Sequence, residues 1–528
     1  MAAGTLASRI TGVFRDITLV AAIGTGIFSD TYSVANSIPN IIYILIAGGA
    51  INAVFIPALI RHMEDDPDSG KQFTDQLLTL VGLILFGIVL LTLILAGLIV
   101  HLYATRLWTP QEFDVATIFA RWCLPQIFFY GLYTLAAQIL NSRNSFALPM
   151  YAPIVNNVIV IGTALIFISA MTDVPTADSV SSTQLNLLGF GTTLGVMAQA
   201  LILVPALKKA GYSYRPNFTF KNVGNGKVGN LAKWTVGFVL VNQITFLVIS
   251  NLTTLANALV TNDPTLIAVG FTSYQKAQLM MMLPHSIITV SVITALLPRL
   301  SKQAHDKNLA AFGGELSASL RLVSALIIPS AVFLVACGPW IGSLLYGYGA
   351  STSEQGAALG AIAAMFALGL PAFSLFYVLL RSYYAQENTK TPFFINLGFN
   401  ALHLIIGFSL FALLPQGLQV AGLALGYSIS YFITCAVTWR RVSARVPELR
   451  KNGHLRLIVR VLVASSIAGV VSYLLVRLAI TNQPEVSALR LGAAISLYAT
   501  SFSLAYLGMA KLLRITEVSA VLALVRRK

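Results

Sequence analysis

The sequence predicts an all-α polytopic membrane protein of about fourteen transmembrane helices with both termini on the cytoplasmic side. Three observations carry this. Of 528 residues, 56% are hydrophobic and 10% are charged, whereas soluble domains carry about 25% charged residues. Apolar runs long enough to cross a bilayer, near 20 residues each, recur along the whole chain. The loops between them alternate between basic and nearly free of Lys and Arg, as the positive-inside rule requires.

The predicted spans, in order, are 4–27, 36–60, 77–101, 115–140, 148–171, 185–207, 231–258, 267–298, 316–337, 356–381, 392–414, 417–438, 456–480 and 487–511. The first is not a cleavable signal peptide, because Arg9, Arg15 and Asp16 interrupt its apolar run. Pro339 to Tyr348 is too short to span and reads as a partial helix or re-entrant turn. The loop after helix six holds Lys208, Lys209, Arg215, Lys221, Lys227 and Lys233, and that after helix twelve holds Arg440, Arg441, Arg445, Arg450, Lys451 and Arg456. Smaller basic groups follow helices eight (Arg299, Lys302, Lys307), ten (Lys390) and fourteen (Lys511, Arg514, Arg526 to Lys528). The loops after helices five, seven, nine and eleven contain no Lys or Arg. One span miscounted upstream would break that alternation.

The net charge of +15 would suggest nucleic acid in a soluble chain. Here the basic residues sit in inter-helix loops, so no nucleic-acid partner is expected. Cys123, Cys337 and Cys435 fall in separate apolar runs, without metal-ligand spacing or a disulfide framework. Asp66-Pro67-Asp68 in EDDPDS has the acidic spacing of a metal-bound sugar-nucleotide site, but it lies in a short loop with no soluble domain and reads as a solvated charge run. VGNGKVGN (223–230) lacks the GK[ST] ending of a P-loop. No enzyme is expected, and no cofactor. Without an ATP site, Na+ or H+ coupling, the membrane potential or a substrate gradient remains to supply energy.

An internal echo suggests paired halves. INAVFIPALIRH (51–62) resembles VITALLPRLSKQ (292–303), and LNSRNSFALPMYAPIVNN (140–157) resembles YAQENTKTPFFINLGFN (384–400). Aligned prolines lie 241 apart (298 − 57) and 243 apart (392 − 149). Paired repeats are a common transporter design, with the substrate between halves. The expected organisation is an N-lobe over 1–207, a basic linker over 208–230, a C-lobe over 231–440 and a C-terminal helix pair with basic tail over 441–528.

SRITGVFRD (8–16) places charges inside a helix bound for lipid. A charge at mid-membrane costs about 2.5–3.5 kcal/mol on the insertion scale. Arg9 can snorkel to the helix end, whereas Arg15 and Asp16 lie deeper. Arg9 and Asp16 share a helix face, and Gly12 between them permits close approach. Either Arg15 pairs locally or with Asp30, or the arginines line a cavity for an anionic substrate. A guanidinium fork suits phosphate because it binds two oxygens at once.

SRITGVFRD, SDTYSVANSIPNIIY (29–43), AVFIPALIR (53–61), LNSRNSFALPMYAPIVNN, ALLPRLSK (295–302) and LLRSYYAQENTKTP (379–392) together resemble the MurJ/MviN family of lipid II flippases, within the multidrug/oligosaccharidyl-lipid/polysaccharide exporter superfamily. The resemblance spans essentially the whole chain. It implies fourteen helices, two six-helix lobes around a cationic cavity, and a hydrophobic groove formed by the last two helices. The implied activity is translocation of lipid II, the lipid-linked peptidoglycan precursor, from inner to outer leaflet of the bacterial plasma membrane by alternating access. Arg9, Arg15 and Asp16 match the family's first-helix charges, taken to meet the pyrophosphate, and Asp30 matches an acid at the outer end of the first helix pair. Two positions depart: Tyr43 stands where well-known members carry a second-helix arginine, and Leu279 stands near an eighth-helix arginine. Lys276 either substitutes for the latter as a charge without a planar fork, or snorkels outward.

Other intramembrane polar groups have two readings each. Asn242 and Gln243, with Asn396 and Asn400, either form an ion site like one that some members use for sodium, here without a carboxylate, or hydrogen-bond between helices. His285 and His403 are proton relays or packing residues. Met280 to Met282 accommodate a lipid chain or face the bilayer. Arg381 reads as a snorkelling end residue. The implied partners are lipid II or a similar polyprenyl-pyrophosphate-linked saccharide, the bilayer and cell-wall synthesis proteins. The alternatives are an exporter of another lipid-linked oligosaccharide, a drug or cation antiporter, which an arginine-rich cavity disfavours, and a membrane-embedded lipid-modifying enzyme or wall-synthesis scaffold.

Overall fold

The computed structural model describes residues 2–46, 70–219, 229–261, 263, 265–451, 453–480 and 487–519. In chain order the α-helices are α1 (Ala2–Ile23), α2 (Ile27–Ile46), α3 (Lys71–Ile94), α4 (Ala96–Tyr103), α5 (Pro110–Cys123), α6 (Gln126–Ser142), α7 (Ala147–Ser169), α8 (Ser182–Leu201), α9 (Leu203–Lys209) and α10 (Gly229–Val260). They continue as α11 (Phe271–Pro284), a π-helical turn (His285–Thr289), α12 (Val290–His305), α13 (Leu309–Tyr346), α14 (Ser353–Tyr384), α15 (Lys390–Leu413), α16 (Gln419–Arg445), α17 (Glu448–Lys451), α18 (His454–Ile480) and α19 (Ala488–Leu512).

Twelve helical stretches among the described residues are long and apolar enough to cross a membrane. Several are compound: α5 with α6, α8 with α9, and α11 through the π turn to α12. The remaining two predicted spans correspond to α1, which carries Arg9, Arg15 and Asp16, and to α2, whose first half is polar. α1 ends at Gly24, whose φ of 72° suits the left-handed cap that glycine supplies, and its N–H donates to the Val20 carbonyl at 2.8 Å. The sequence reading ends the first span at 27 and begins the second at 36. Instead, SDTYSVAN lies inside α2, and Ser29 to Ala35 are all buried. Polarity there marks a helix face turned to other protein groups rather than a loop in water: Thr31 Oγ1 bonds the Phe28 carbonyl at 2.7 Å and the Tyr32 hydroxyl meets Thr192 Oγ1 at 2.7 Å.

Pro339 to Tyr348 is also corrected. α13 continues through Pro339 as one helix of 38 residues. Proline removes one helical hydrogen bond, a loss that neighbouring helices in membrane proteins accommodate. Here the neighbour is α14 at backbone contact. A Cβ on Gly338 would lie 2.5 Å from the Gly360 carbonyl oxygen, and one on Gly342 would collide with the Gly356 carbonyl. Two Gly-x-x-x-Gly faces, 338/342 and 356/360, thus meet as small-residue helix pairs do in bilayers.

The chain divides into two compact units. Unit 1 holds residues 1–264 with 270–272 and 349–351. Within it α1 packs on α7, α7 on α8, α2 on α5, α3 on α6, and α10 on α2 and α4. Its core includes Tyr32 edge-on to Phe119 at 5.4 Å, with Phe28 tilted against the same ring at 5.9 Å. The sequence reading opens the C-lobe with α10, yet its lateral bonds are to unit 1. Ser250 Oγ and Asn251 Nδ2 donate to the carbonyls of Tyr103 and Ala104 at 2.9 and 2.7 Å, and the Thr105 N–H donates to Thr254 Oγ1 at 2.9 Å.

Unit 2 holds 265–269, 273–348 and 352–528. Its spine is α13 against α14, with α16 between α14 and α15. The C-terminal pair, α18 and α19, packs against itself and against α13. Aromatic rings fill that seam: Tyr498 stacks on Phe502 at 5.8 Å, and Phe333 meets both. Arg321 of α13 donates through Nε to Glu517 Oε1 at 2.6 Å, tying down the segment after α19.

Candidate functional site

The charged stretch of α1 is built around Asn157 of α7. The Arg15 guanidinium donates to Asn157 Oδ1 at 3.1 Å and to Asp16 Oδ1 at 3.2 Å. The Asn157 amide nitrogen donates in turn to the Ser8 carbonyl at 3.1 Å and to Thr11 Oγ1 at 2.9 Å. One amide therefore grips α1 at two heights and presents its oxygen to Arg15. Asp16 is buried, while the Arg15 side chain keeps 30% exposure. A guanidinium has five N–H donors. Two are engaged among the described residues, which leaves three for an incoming acceptor. Arg9, six residues and about 9 Å earlier along the helix axis, is half-buried. Gly12 matters less than expected: a Cβ there would sit 3.7 Å from Asn157 Nδ2, an ordinary contact.

Arg15 pairs with its neighbour and not with Asp30. Asp30, in the first turn of α2, is fully buried. Its Oδ1 accepts from the Thr272 N–H at 2.7 Å, and its Oδ2 accepts from the Phe271 N–H at 3.1 Å and Asn257 Nδ2 at 2.7 Å. The carboxylate thus caps the first two residues of α11, where an anion is favoured by the unsatisfied N–H groups and the helix dipole. Thr272 Oγ1 donates to Ser33 Oγ at 2.9 Å and accepts from Ser29 Oγ at 3.2 Å. Gly270 is required, because any Cβ there would collide with Asp30.

At the position of the missing second-helix arginine, the Tyr43 hydroxyl donates to Thr134 Oγ1 at 2.6 Å and its ring leans on Tyr130 at 5.7 Å. That site is an aromatic contact between α2 and α6. Asn242 and Gln243 are half-buried on α10 in unit 1.

In unit 2, Lys276 is half-buried on α11, and Leu279 is 46% exposed. Asn396 and Asn400 are buried, and Asn400 Nδ2 donates to the Asn396 carbonyl at 2.8 Å. His403 lies one turn further along α15, stacked on Phe399 and edge-on to Tyr427. His285 contacts Ser374 Oγ through Nδ1 at 2.9 Å and packs on Phe373 and Tyr377. Arg381 lies over the rings of Tyr377 and Tyr384 at 4.3 and 5.4 Å, a cation–π seat rather than a free snorkel. Among the described residues, no group of three His, Cys, Asp or Glu side chains could hold a metal ion. Asp66 and Asp68 lie outside the described residues.

Unit 2 also contains an apolar groove of about 630 Å³ between α11, α13 and α19. Met280, Leu283 and Pro284 form one wall, facing Phe333, Phe502 and Tyr506 among others. Met280 is thus part of a lined groove, and Met281 is buried.

Asn157 and Asn257 are the two site residues that sequence reasoning missed. Asn157 ends the LNSRNSFALPMYAPIVNN run, so its signal was an amide in an apolar helix. Its partner on α1 lies about 146 residues away.

A polytopic helical fold with two compact units and a half-buried arginine held by a carboxylate and an amide defines a membrane carrier. An inward-facing multidrug resistance transporter of the MATE family superposes with a TM-score of 0.62 at 14% identity, covering 84% of this chain and 96% of that one. A structure of lipid II flippase MurJ in an inward closed conformation superposes with a TM-score of 0.74 at 22% identity, covering 97% and 99%. The family profile described as lipid II flippase MurJ matches residues 19–492. A probable lipid II flippase MurJ of Thermotoga maritima is 31% identical over 474 residues, 89% of each chain. The lipid II flippase MurJ of Burkholderia cenocepacia is 29% identical over 400 residues, covering 75% of this chain and 74% of that one. The chain belongs to the MurJ family.

Proposed function

We propose that this protein translocates lipid II across the bacterial plasma membrane by alternating access. The reading rests on one observation above all: a guanidinium on a membrane helix is oriented by Asn157 and Asp16 with three N–H groups to spare. Such a group offsets the desolvation of a pyrophosphate and accepts it through paired bonds. Arg9 lies nearer the helix end and would meet the anion first, passing it inward to Arg15. The apolar groove of unit 2 suits the polyprenyl tail, which would remain in a hydrocarbon environment while the headgroup moves. Both termini face the cytoplasm in this reading, following the basic loops. The driving force is a Na+ or H+ gradient or the membrane potential, which acts on charges held within the membrane field. No covalent step on the lipid is needed, so the protein acts as a carrier and not as an enzyme.

The test is depletion of the resident protein with rescue by wild type or Arg15→Ala, following lipid II exposure on the outer leaflet. Wild type restores exposure and well-expressed Arg15→Ala does not. Unchanged exposure and growth on depletion would refute the assignment and favour export of another lipid-linked oligosaccharide.

A further inference from the structure

A second apolar groove, of about 620 Å³, lies in unit 1 between α3 and α6. This volume is within the range of small-molecule sites, about 300–1,000 Å³. Its walls include Gly82 and Phe86 of α3, Leu132, Leu135 and Ile139 of α6, and Leu207 of α9. Leu83 and Phe86 are 50% and 55% exposed, so the groove borders an apolar outer face of the helices.

One end is covered by the segment 212–218, an extended strap that runs back along α3. The Tyr212 hydroxyl donates to Asp75 Oδ1 at 2.6 Å, and the Arg215 N–H donates to the same oxygen at 3.3 Å. The Asn217 N–H donates to Thr79 Oγ1 at 3.1 Å, and the Tyr214 hydroxyl meets the same atom at 2.9 Å. Lys71 closes the cluster on Asp75 Oδ2 at 3.1 Å. Asp75 is therefore already matched. Three exposed cations belong to the same stretch of chain: Lys208, which lines the groove, its neighbour Lys209 at the end of α9, and Arg215 on the strap. None of the three pairs with a carboxylate among the described residues.

We propose that this groove binds an anionic glycerophospholipid, with one acyl chain along the apolar walls and the phosphate at Lys208, Lys209 and Arg215. The chemistry fits on both counts. Hydrocarbon fills an apolar cleft that opens toward lipid, and basic pockets beside membrane helices attract anionic headgroups. The site is separate from Arg15 and does not depend on the substrate assigned above.

The experiment uses the full chain in nanodiscs of equimolar phosphatidylglycerol and phosphatidylcholine, with retained lipid identified by mass after release into detergent. Wild type retains phosphatidylglycerol in preference to phosphatidylcholine. Lys208→Gln with Lys209→Gln lowers that preference roughly thirty-fold, from the worth of two basic side chains near an anionic lipid. Gly82→Phe fills the groove and abolishes retention. A Cβ at Gly82 meets nothing within 4 Å, so the new side chain starts into open space, and an unchanged thermal midpoint checks that the variant folds. Equal retention of the two lipids overturns the proposal, as does retention insensitive to both variants. Displacement of phosphatidylglycerol by an equal concentration of polyprenyl phosphate also overturns it, since the occupant would then be the substrate class.

Discussion

Replacing Asp30 with Asn tests whether the carboxylate holds the start of α11 as an acceptor of three bonds. Asp30 is fully buried and its partners are all donors: two backbone N–H groups and the Asn257 amide. An asparagine offers one oxygen. If that oxygen takes the place of Oδ2, it keeps Phe271 and Asn257 and turns an NH2 toward the Thr272 N–H. If it takes the place of Oδ1, it keeps Thr272 and opposes two donors. Either way at least one charge-assisted bond is lost, worth about 1.5–3 kcal/mol, and a buried N–H is left unsatisfied at about 1–3 kcal/mol. These costs overlap, so we expect Asp30→Asn to destabilise by roughly 3 kcal/mol. Asp30→Ala strands all three donors and should cost more, roughly 4–6 kcal/mol. The assay is reversible chemical denaturation of the purified protein in micelles, with Asn257→Ala as a second variant. The double variant Asp30→Asn/Asn257→Ala should cost less than the sum, because the two residues share a bond. A cost for Asp30→Asn below about 0.5 kcal/mol would refute the reasoning, since it would mean that the site holds a neutral acid already donating a proton.

Other sites give shorter tests. Asn157→Ala should lower lipid II exposure roughly tenfold at equal membrane abundance, because one lost bond to a charged group is worth about 1.5–3 kcal/mol; unchanged exposure would mean that Asp16 alone orients Arg15. Gly338→Val should destabilise by about 3 kcal/mol or prevent folding, because its Cβ would lie 2.5 Å from the Gly360 carbonyl; a wild-type melting midpoint would show that α13 and α14 can separate without cost. Arg321→Met should cost about 3 kcal/mol by stranding Glu517, and adding Glu517→Met should recover most of it; denaturation of the single and double variants decides this. Tyr43→Phe removes one hydroxyl bond to Thr134 and should cost about 1 kcal/mol while leaving transport intact, as measured by denaturation and by the exposure assay.

The helical, polytopic character was legible because apolar runs and basic loops are local properties. The charges of α1 were equally legible, since no lipid-facing helix carries them without a partner. What the residues could not disclose was direction. SDTYSVAN reads as a loop by polarity, yet those hydroxyls and Asp30 face other protein groups. Pro339 reads as a break, yet Gly356 and Gly360 of another helix support the backbone through it. Asn157 and Asn257 act on partners about 146 and 227 residues away, and no periodicity in one helix reports such a meeting. The lateral bonds of α10 are of the same kind, since Ser250 and Asn251 reach the carbonyls of Tyr103 and Ala104, 147 residues earlier.

The discontinuous make-up of unit 1 bears on how the chain is made. After Thr272 the ribosome must add 76 residues (348 − 272) before it reaches Gly349–Ser351, the last piece of unit 1. That piece is not ornamental: the Ala350 N–H donates to the Ala21 carbonyl at 2.8 Å, beside the turn that ends α1. At roughly 5–20 residues per second the interval is about 4–15 s. During it the end of α1 carries an unfilled carbonyl and an open seat, while the first part of unit 2, residues 273–348, is being made. Biogenesis therefore cannot proceed as one finished half followed by the other. A chain stalled before residue 349 should hold its first unit incomplete, in a form that quality-control proteases can distinguish from the mature one.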